Sequence, residues 1–196
     1  MQVAYVVPSS PMLIKRVLKH MDFSHPRVIV EFGPGEGCYT REILKRMHPE
    51  SRLLLFEIDN EFVQHLHRQF RHEPRVEIIH DYAQNISKHL SERGLKNCDY
   101  VISGIPFSYI DVPVKQTLVQ NTYDALAPEP HAAFIIYQVT NELKAYAQQF
   151  PRVESKYCLQ NLPPMVVTAY YKQPLNGHKN AHHKSHPREK AHAIKT

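Results

Sequence analysis

The sequence predicts a doubly wound α/β domain, a mostly parallel seven-stranded sheet whose last strand runs antiparallel. Three observations predict it. Short apolar runs alternate with helical segments along residues 1–171, the pattern of a parallel sheet covered on both faces. A glycine-rich turn directly follows the first run and opens a helix. The last two runs are separated by a loop too short for a helical crossover, so the final strand must reverse direction.

Taken in order, Ser10-Pro11 reads as an N-cap and first helical position, opening a helix over 10–21. Leu13, Ile14, Val17, Leu18 and Met21 form one apolar stripe, with Lys15, Arg16, Lys19 and His20 on or beside the other face. Such a stripe usually packs on the domain edge; the alternative is a basic amphipathic helix resting on an anionic membrane. Strands are expected at Val28–Phe32, Leu53–Phe56, Val76–Ile79, Tyr100–Ile102 and Ala133–Tyr137, then near Arg152–Cys158 and Met165–Tyr171. The intervening helices are expected at Tyr39–Met47, Glu61–Arg71, Asn85–Ser91, Val112–Leu126 and Thr140–Phe150.

Composition narrows the function classes. No apolar run approaches the ~20 residues needed to cross a bilayer, and Met1-Gln2-Val3-Ala4-Tyr5 lacks the features of a secretory signal, so a cytoplasmic location is expected. Three widely spaced cysteines, Cys38, Cys98 and Cys158, form neither a disulfide framework nor a zinc motif, and no metal site is expected. The net charge of +5 is uneven: from Lys172 onward there are six basic residues and one acid, leaving 18 of each sign before it. A neutral body does not lay down a large nucleic-acid footprint, so no stable nucleic-acid binding is expected. The segment 172–196, rich in Lys, His and Asn, reads as a basic disordered tail.

Chemistry concentrates at the ends of the strands. Glu31-Phe32-Gly33-Pro34-Gly35-Glu36-Gly37 lies between a buried strand and a helix, where glycines let backbone turn tightly and approach a nucleotide-like ligand. A dinucleotide-binding turn would place glycine where Cys38 stands. The second strand ends in Phe56-Glu57-Ile58-Asp59, about 20 residues on, where nucleoside-binding α/β folds set an acid against ribose hydroxyls. Glu57 is the better-placed ligand; Asp59 is the alternative, and either acid can instead begin the next helix. The third strand ends in His80-Asp81-Tyr82-Ala83, the fourth in Ser103-Gly104-Ile105-Pro106-Phe107, both at the carboxyl edge where such sheets bind ligands.

The Glu-x-Gly-x-Gly-x-Gly spacing resembles the first motif of class I methyltransferases, which have a Rossmann-like fold. With Val7-Pro8-Ser9-Ser10, Phe56-Glu57-Ile58, Ser103-Gly104-Ile105-Pro106-Phe107, Tyr137-Gln138 and Asn161-Leu162-Pro163-Pro164, the whole body is similar to the bacterial phospholipid N-methyltransferases, relatives of the ribosomal RNA adenine dimethylases. The resemblance implies S-adenosylmethionine as methyl donor, with S-adenosylhomocysteine as product. It implies cofactor contacts from Glu31, Gly33, Pro34, Gly35, Gly37, Glu57, Ile58, Asp81, Tyr82 and Ser103, with Asp81 on the adenine amino group. Ser103 stands where adenine-directed relatives carry Asn or Asp. The implied reaction is methylation of the amine of phosphatidylethanolamine or a related aminolipid, at the inner face of an anionic membrane. Tyr39, Ser103, Phe107 and Tyr137 are the candidate catalytic residues, and Tyr5, Tyr39, Phe107, Tyr109 and Tyr137 are candidates for an aromatic cage around the methylated cation.

Overall fold

The computed structural model describes residues 9–174. Seven strands form one sheet: β1 (Val28–Phe32), β2 (Arg52–Glu57), β3 (Val76–His80), β4 (Tyr100–Ser103), β5 (Ala133–Gln138), β6 (Arg152–Cys158) and β7 (Met165–Tyr171). Their order is β3-β2-β1-β4-β5-β7-β6, and β1 to β5 are parallel throughout. The chain order reverses between β1 and β4, which makes the carboxyl ends of these two strands the natural ligand crevice. β7 enters antiparallel between β5 and β6, as the short β6–β7 connection requires. β6 therefore points the same way as β5, and its end at Cys158 lies at the same edge as the ends of the parallel strands.

Both faces of the sheet are covered, which is why the central strands are almost continuously apolar. On one face Leu13 and Val17 of α1 (Pro11–Leu18), Ile43 of α2 (Cys38–Leu44) and Leu66 and Phe70 of α3 (Asn60–Phe70) pack over Ile29, Leu53, Leu55 and Ile135. On the other, Ile86 and Leu90 of α4 (Ile86–Glu92) and Leu118 and Val119 of α5 (Val112–Ala125) pack over Val30, Phe32, Leu54 and Phe134. Strand neighbours thus alternate between the two cores, Ile29 to one and Val30 to the other, as the period of two demands.

The first helix is shorter than 10–21. Ser10 caps it through Oγ, which accepts from Leu13 N at 3.2 Å, but the chain turns away after Leu18. Leu13, Val17, Leu18 and Met21 are all buried against the sheet, so the apolar stripe is a packing surface, not a free membrane-facing one. The helix expected at Thr140–Phe150 is a larger departure: only Glu142–Ala145 is helical, as a single 3-10 turn. Leu143, Ala147 and Phe150 nonetheless reach the α5-side core, and Lys115 Nζ holds Glu142 Oε2 at 3.1 Å. Packing has overridden helix propensity here. Lys172 belongs to the body and not to the tail: its N–H donates to Ala132 O at 3.0 Å and its ammonium lies 4.1 Å from the Tyr123 ring centre. From Leu175 onward the tail lies outside the described residues.

Candidate active site

The glycine turn is built by three consecutive departures into left-handed backbone, at Gly33 (φ 66°), Gly35 (φ 53°) and Gly37 (φ 73°). A side chain is strained at all three. Gly33 N donates to Phe56 O at 2.9 Å, so the turn begins as an extension of the β1–β2 pairing, and Gly37 caps α2. A Cβ at Gly37 would meet the Phe70 ring at 3.0 Å, whereas one at Gly35 would meet nothing within 4 Å. The space beside Gly35 is open room against bare backbone, which is what a nucleoside ligand needs.

Glu57 closes this turn from β2. One carboxylate oxygen accepts from Gly35 N at 3.2 Å; the other accepts from Ile58 N at 2.9 Å and Asp59 N at 3.1 Å. Asp59, the alternative acid, is committed to capping α3, accepting from Glu61 N at 2.8 Å and Phe62 N at 3.3 Å. Because Glu57 pairs with His80 in the sheet, the two following segments emerge side by side. They carry Ile58 and Tyr82, 51% and 59% exposed. An apolar and an aromatic side chain left in water at the ends of adjacent strands are suited to a flat heterocycle. Asp81 precedes Tyr82, its carboxylate held by Asn85 Nδ2 and His89 Nε2, each at 2.8 Å. These bonds, His89 foremost, hold the Asp81 carboxyl down to about 2.

Glu31 is fully buried beneath the turn. Thr40 Oγ1 donates to one of its oxygens at 2.7 Å, and the other has no partner among the described residues. Burial pushes this carboxyl up to about 7, against the pull of Thr40. Near the same edge, Gln138 Nε2 also lacks a partner among the described residues, and the Tyr39 hydroxyl has only the Ser9 side chain beside it. Unsatisfied buried groups are uncommon, and those at this edge mark a place where a ligand's polar atoms can complete the network.

The candidate catalytic residues do not form one cluster. Tyr39 and Tyr137 stack at 4.3 Å between ring centres, tilted by 26°, on the α1–α2 face, and burial raises both phenols above their ordinary range. Ser103 ends β4 beside Phe32 of β1, its Oγ accepting from Ile105 N at 3.3 Å. Phe107 departs from the expected cage, being 1% exposed and packed into the core of the opposite face. The sheet separates it from the tyrosine pair, because the 3-10 turn Phe107–Tyr109 folds back over the α5 side. Tyr109 is 82% exposed, and Tyr5 lies outside the described residues. Thr40 and His89 were not singled out from the sequence; their partners are 9 and 8 residues away, with no local signature.

The pieces fit an S-adenosylmethionine site: a glycine cradle with open space, an acid at the end of β2, a pair of exposed side chains and an acid, Asp81, at the end of β3. When bound, that group supplies a methyl made electrophilic by a sulfonium. Glu57, Asp81 and the glycine backbone would hold it.

Comparison with known proteins agrees. An ornithine lipid N-methyltransferase of Singulisphaera acidiphila is 27% identical over 162 residues, 83% of this chain and 84% of that protein. Ribosomal RNA small subunit methyltransferase A of Mycoplasma capricolum is 33% identical over 101 residues, a match spanning 48% of this chain and 35% of that longer protein. Among solved structures, the N-methyltransferase NodS of Bradyrhizobium japonicum, in complex with S-adenosylhomocysteine, superposes with a TM-score of 0.66 at 10% identity, covering 85% of this chain and 90% of its own. Precorrin-6y C5,15-methyltransferase of Geobacter metallireducens gives 0.66 at 14% identity over 88% and 94%. At such identities these two structures speak for the fold alone. Residues 8–123, more than half of the chain, match the family described as ribosomal RNA adenine dimethylase, and the chain belongs to that family of S-adenosylmethionine-dependent methyltransferases.

Proposed function

We propose that this enzyme methylates the amine of an aminolipid, phosphatidylethanolamine or a related lipid. The observation that carries this reading is Ser103. An adenine-directed site holds the planar amino group, a donor of two N–H bonds, with a carboxamide or carboxylate oxygen reaching from the strand end. At the end of β4 this chain offers a buried hydroxyl already engaged by Ile105 N. The likeness to an ornithine lipid N-methyltransferase along nearly the whole of both chains supports the same reading.

The chemistry asks little of the protein beyond alignment. An alkylammonium must first lose a proton, to bulk water; S-adenosylmethionine, when bound, would supply the methyl group to the freed nitrogen lone pair, its sulfonium becoming a neutral thioether. The Tyr39 and Tyr137 rings cover each other at 4.3 Å, which leaves no room for a cation between them; a methylated ammonium would have to meet an outer ring face. RNA adenine is the second reading, favoured by the family match and by the Mycoplasma relative.

Expression in a bacterium that makes phosphatidylethanolamine but no phosphatidylcholine, followed by lipid mass spectrometry, tests the proposal. Mono-, di- or trimethylated lipid, lost in Glu57→Ala, is the expected result. Unchanged lipids with new dimethyladenine in ribosomal RNA would move the assignment to RNA.

A further inference from the structure

The β6–β7 connection carries side chains that the fold does not use. Leu159 and Leu162 are 73% and 85% exposed, and Tyr157, just before them, is 69% exposed. Loops usually spend such positions on polar residues, and a lone exposed leucine calls for no explanation. Here two leucines project from one six-residue tip, flanked by Tyr157 at the end of β6 and, at the adjoining helix start, by Met12, 46% exposed. The tip is held in place. Asn161, 4% exposed, accepts from Ser10 N and donates to Pro163 O, each at 3.0 Å, tying the loop to the start of α1. Arg16 of α1 donates to Tyr157 O.

Position and charge add to this. Cys158 pairs with Met165, and Gln138 with Val166, so the tip springs from the carboxyl edge of the sheet, next to the end of β5. This is the edge that carries the glycine turn, Ser103 and Tyr137. The flank of the tip is basic: Arg16 and Lys19 of α1 face Lys156 of β6, with Glu154 the acid beside them. Burial, and next the neighbouring Lys156 and Arg16, press the Lys19 ammonium below its ordinary range, as expected of cations gathered faster than acids offset them.

Resting on the aminolipid reading, we infer that this face docks on an anionic bilayer, Leu159 and Leu162 entering the headgroup–acyl boundary while Arg16, Lys19 and Lys156 meet the lipid phosphates, so that the cofactor edge opens toward the membrane. Aliphatic tips beside cations are the combination by which monotopic proteins bind interfaces. RNA would be met by planar stacking groups, and the most exposed residues here are leucines. Unlike an amphipathic-helix anchor, the docking element is a rigid loop, because the apolar stripe of α1 is spent on the protein core.

The full chain is tested by sedimentation with phosphatidylcholine vesicles containing about 30% phosphatidylglycerol. Leu159→Glu/Leu162→Glu should weaken binding at least tenfold, roughly. It should raise KM for aminolipid in vesicles while leaving cofactor affinity, and kcat on a short-chain monomeric aminolipid, unchanged. Lys19→Glu/Lys156→Glu should weaken binding about fivefold or more for each charge, on anionic vesicles only. Vesicle binding unaltered in both variants overturns the docking face, as does a selective loss of RNA binding instead. Retained cofactor affinity shows that each variant is folded. Vesicle binding that depends on the leucines, without methylation of any lipid, would leave the docking face standing and remove the aminolipid assignment.

Discussion

Gly104 lies so close to Tyr137 that a Cβ built on it would stand 2.4 Å from the tyrosine hydroxyl and 2.9 Å from the ring carbon that bears it. Backbone at the end of β4 is therefore pressed directly onto the phenol that stacks on Tyr39. A methyl group at residue 104 has to displace the ring. Gly104→Ala is expected to cost about 1–3 kcal/mol by overpacking and to lower turnover. In a Tyr137→Ala background the same methyl should cost less than about 1 kcal/mol, and a double-mutant cycle on thermal unfolding reads the difference. Additive costs would mean that the two residues are not coupled.

Glu57 accepts three backbone N–H groups and is the expected ribose ligand. Glu57→Ala should lower cofactor affinity by roughly 10- to 100-fold, in line with the ~1.5–3 kcal/mol of a hydrogen bond to a charged group. Titration calorimetry measures it. Loss of stability at unchanged affinity would make Glu57 a brace for the turn and not a ligand.

Tyr39 is 3% exposed and its hydroxyl faces the Ser9 side chain. Removing a buried hydroxyl that makes at most one weak hydrogen bond should change stability by less than about 1 kcal/mol. Tyr39→Phe is expected to lower turnover without changing cofactor affinity. Unchanged steady-state turnover would remove Tyr39 from the reaction.

Glu31 should leave a signature in the pH dependence of stability without cofactor. Its carboxyl is raised from 4.5 to about 7 by burial, so between these values the folded protein holds a proton that the unfolded chain releases. The contribution is complete below 4.5 and is lost as pH rises through about 7. Asp81 works the other way, contributing above 3.8 and losing its effect as pH falls toward about 2. Melting curves from about pH 5 to 8 should show the wild type losing stability relative to Glu31→Gln. Parallel curves would mean that Glu31 ionises normally.

Strand period, turn chemistry and strand-end acids are local properties, and they were legible. β6 and β7 fall where the alternating runs lie, the reversal of β7 follows from a loop too short to cross over, and the glycine turn stands where Glu31 to Gly37 announce it. What the sequence by itself determined was therefore the layered fold, the sheet edge that carries the site and the class of cofactor. Only the tertiary structure decided which side chains meet. Phe107 and Tyr137 both read as aromatic residues at strand ends, yet the sheet divides them, because the layer a chain enters after leaving a strand depends on where room remains in the core. Thr140–Phe150 carries helical spacing but forms one 3-10 turn, since seating Leu143, Ala147 and Phe150 took precedence over helix propensity. His89 on Asp81, eight residues on, and Gly104 against Tyr137 of the neighbouring strand are contacts set by how the elements pack, and no local pattern encodes a distance in space.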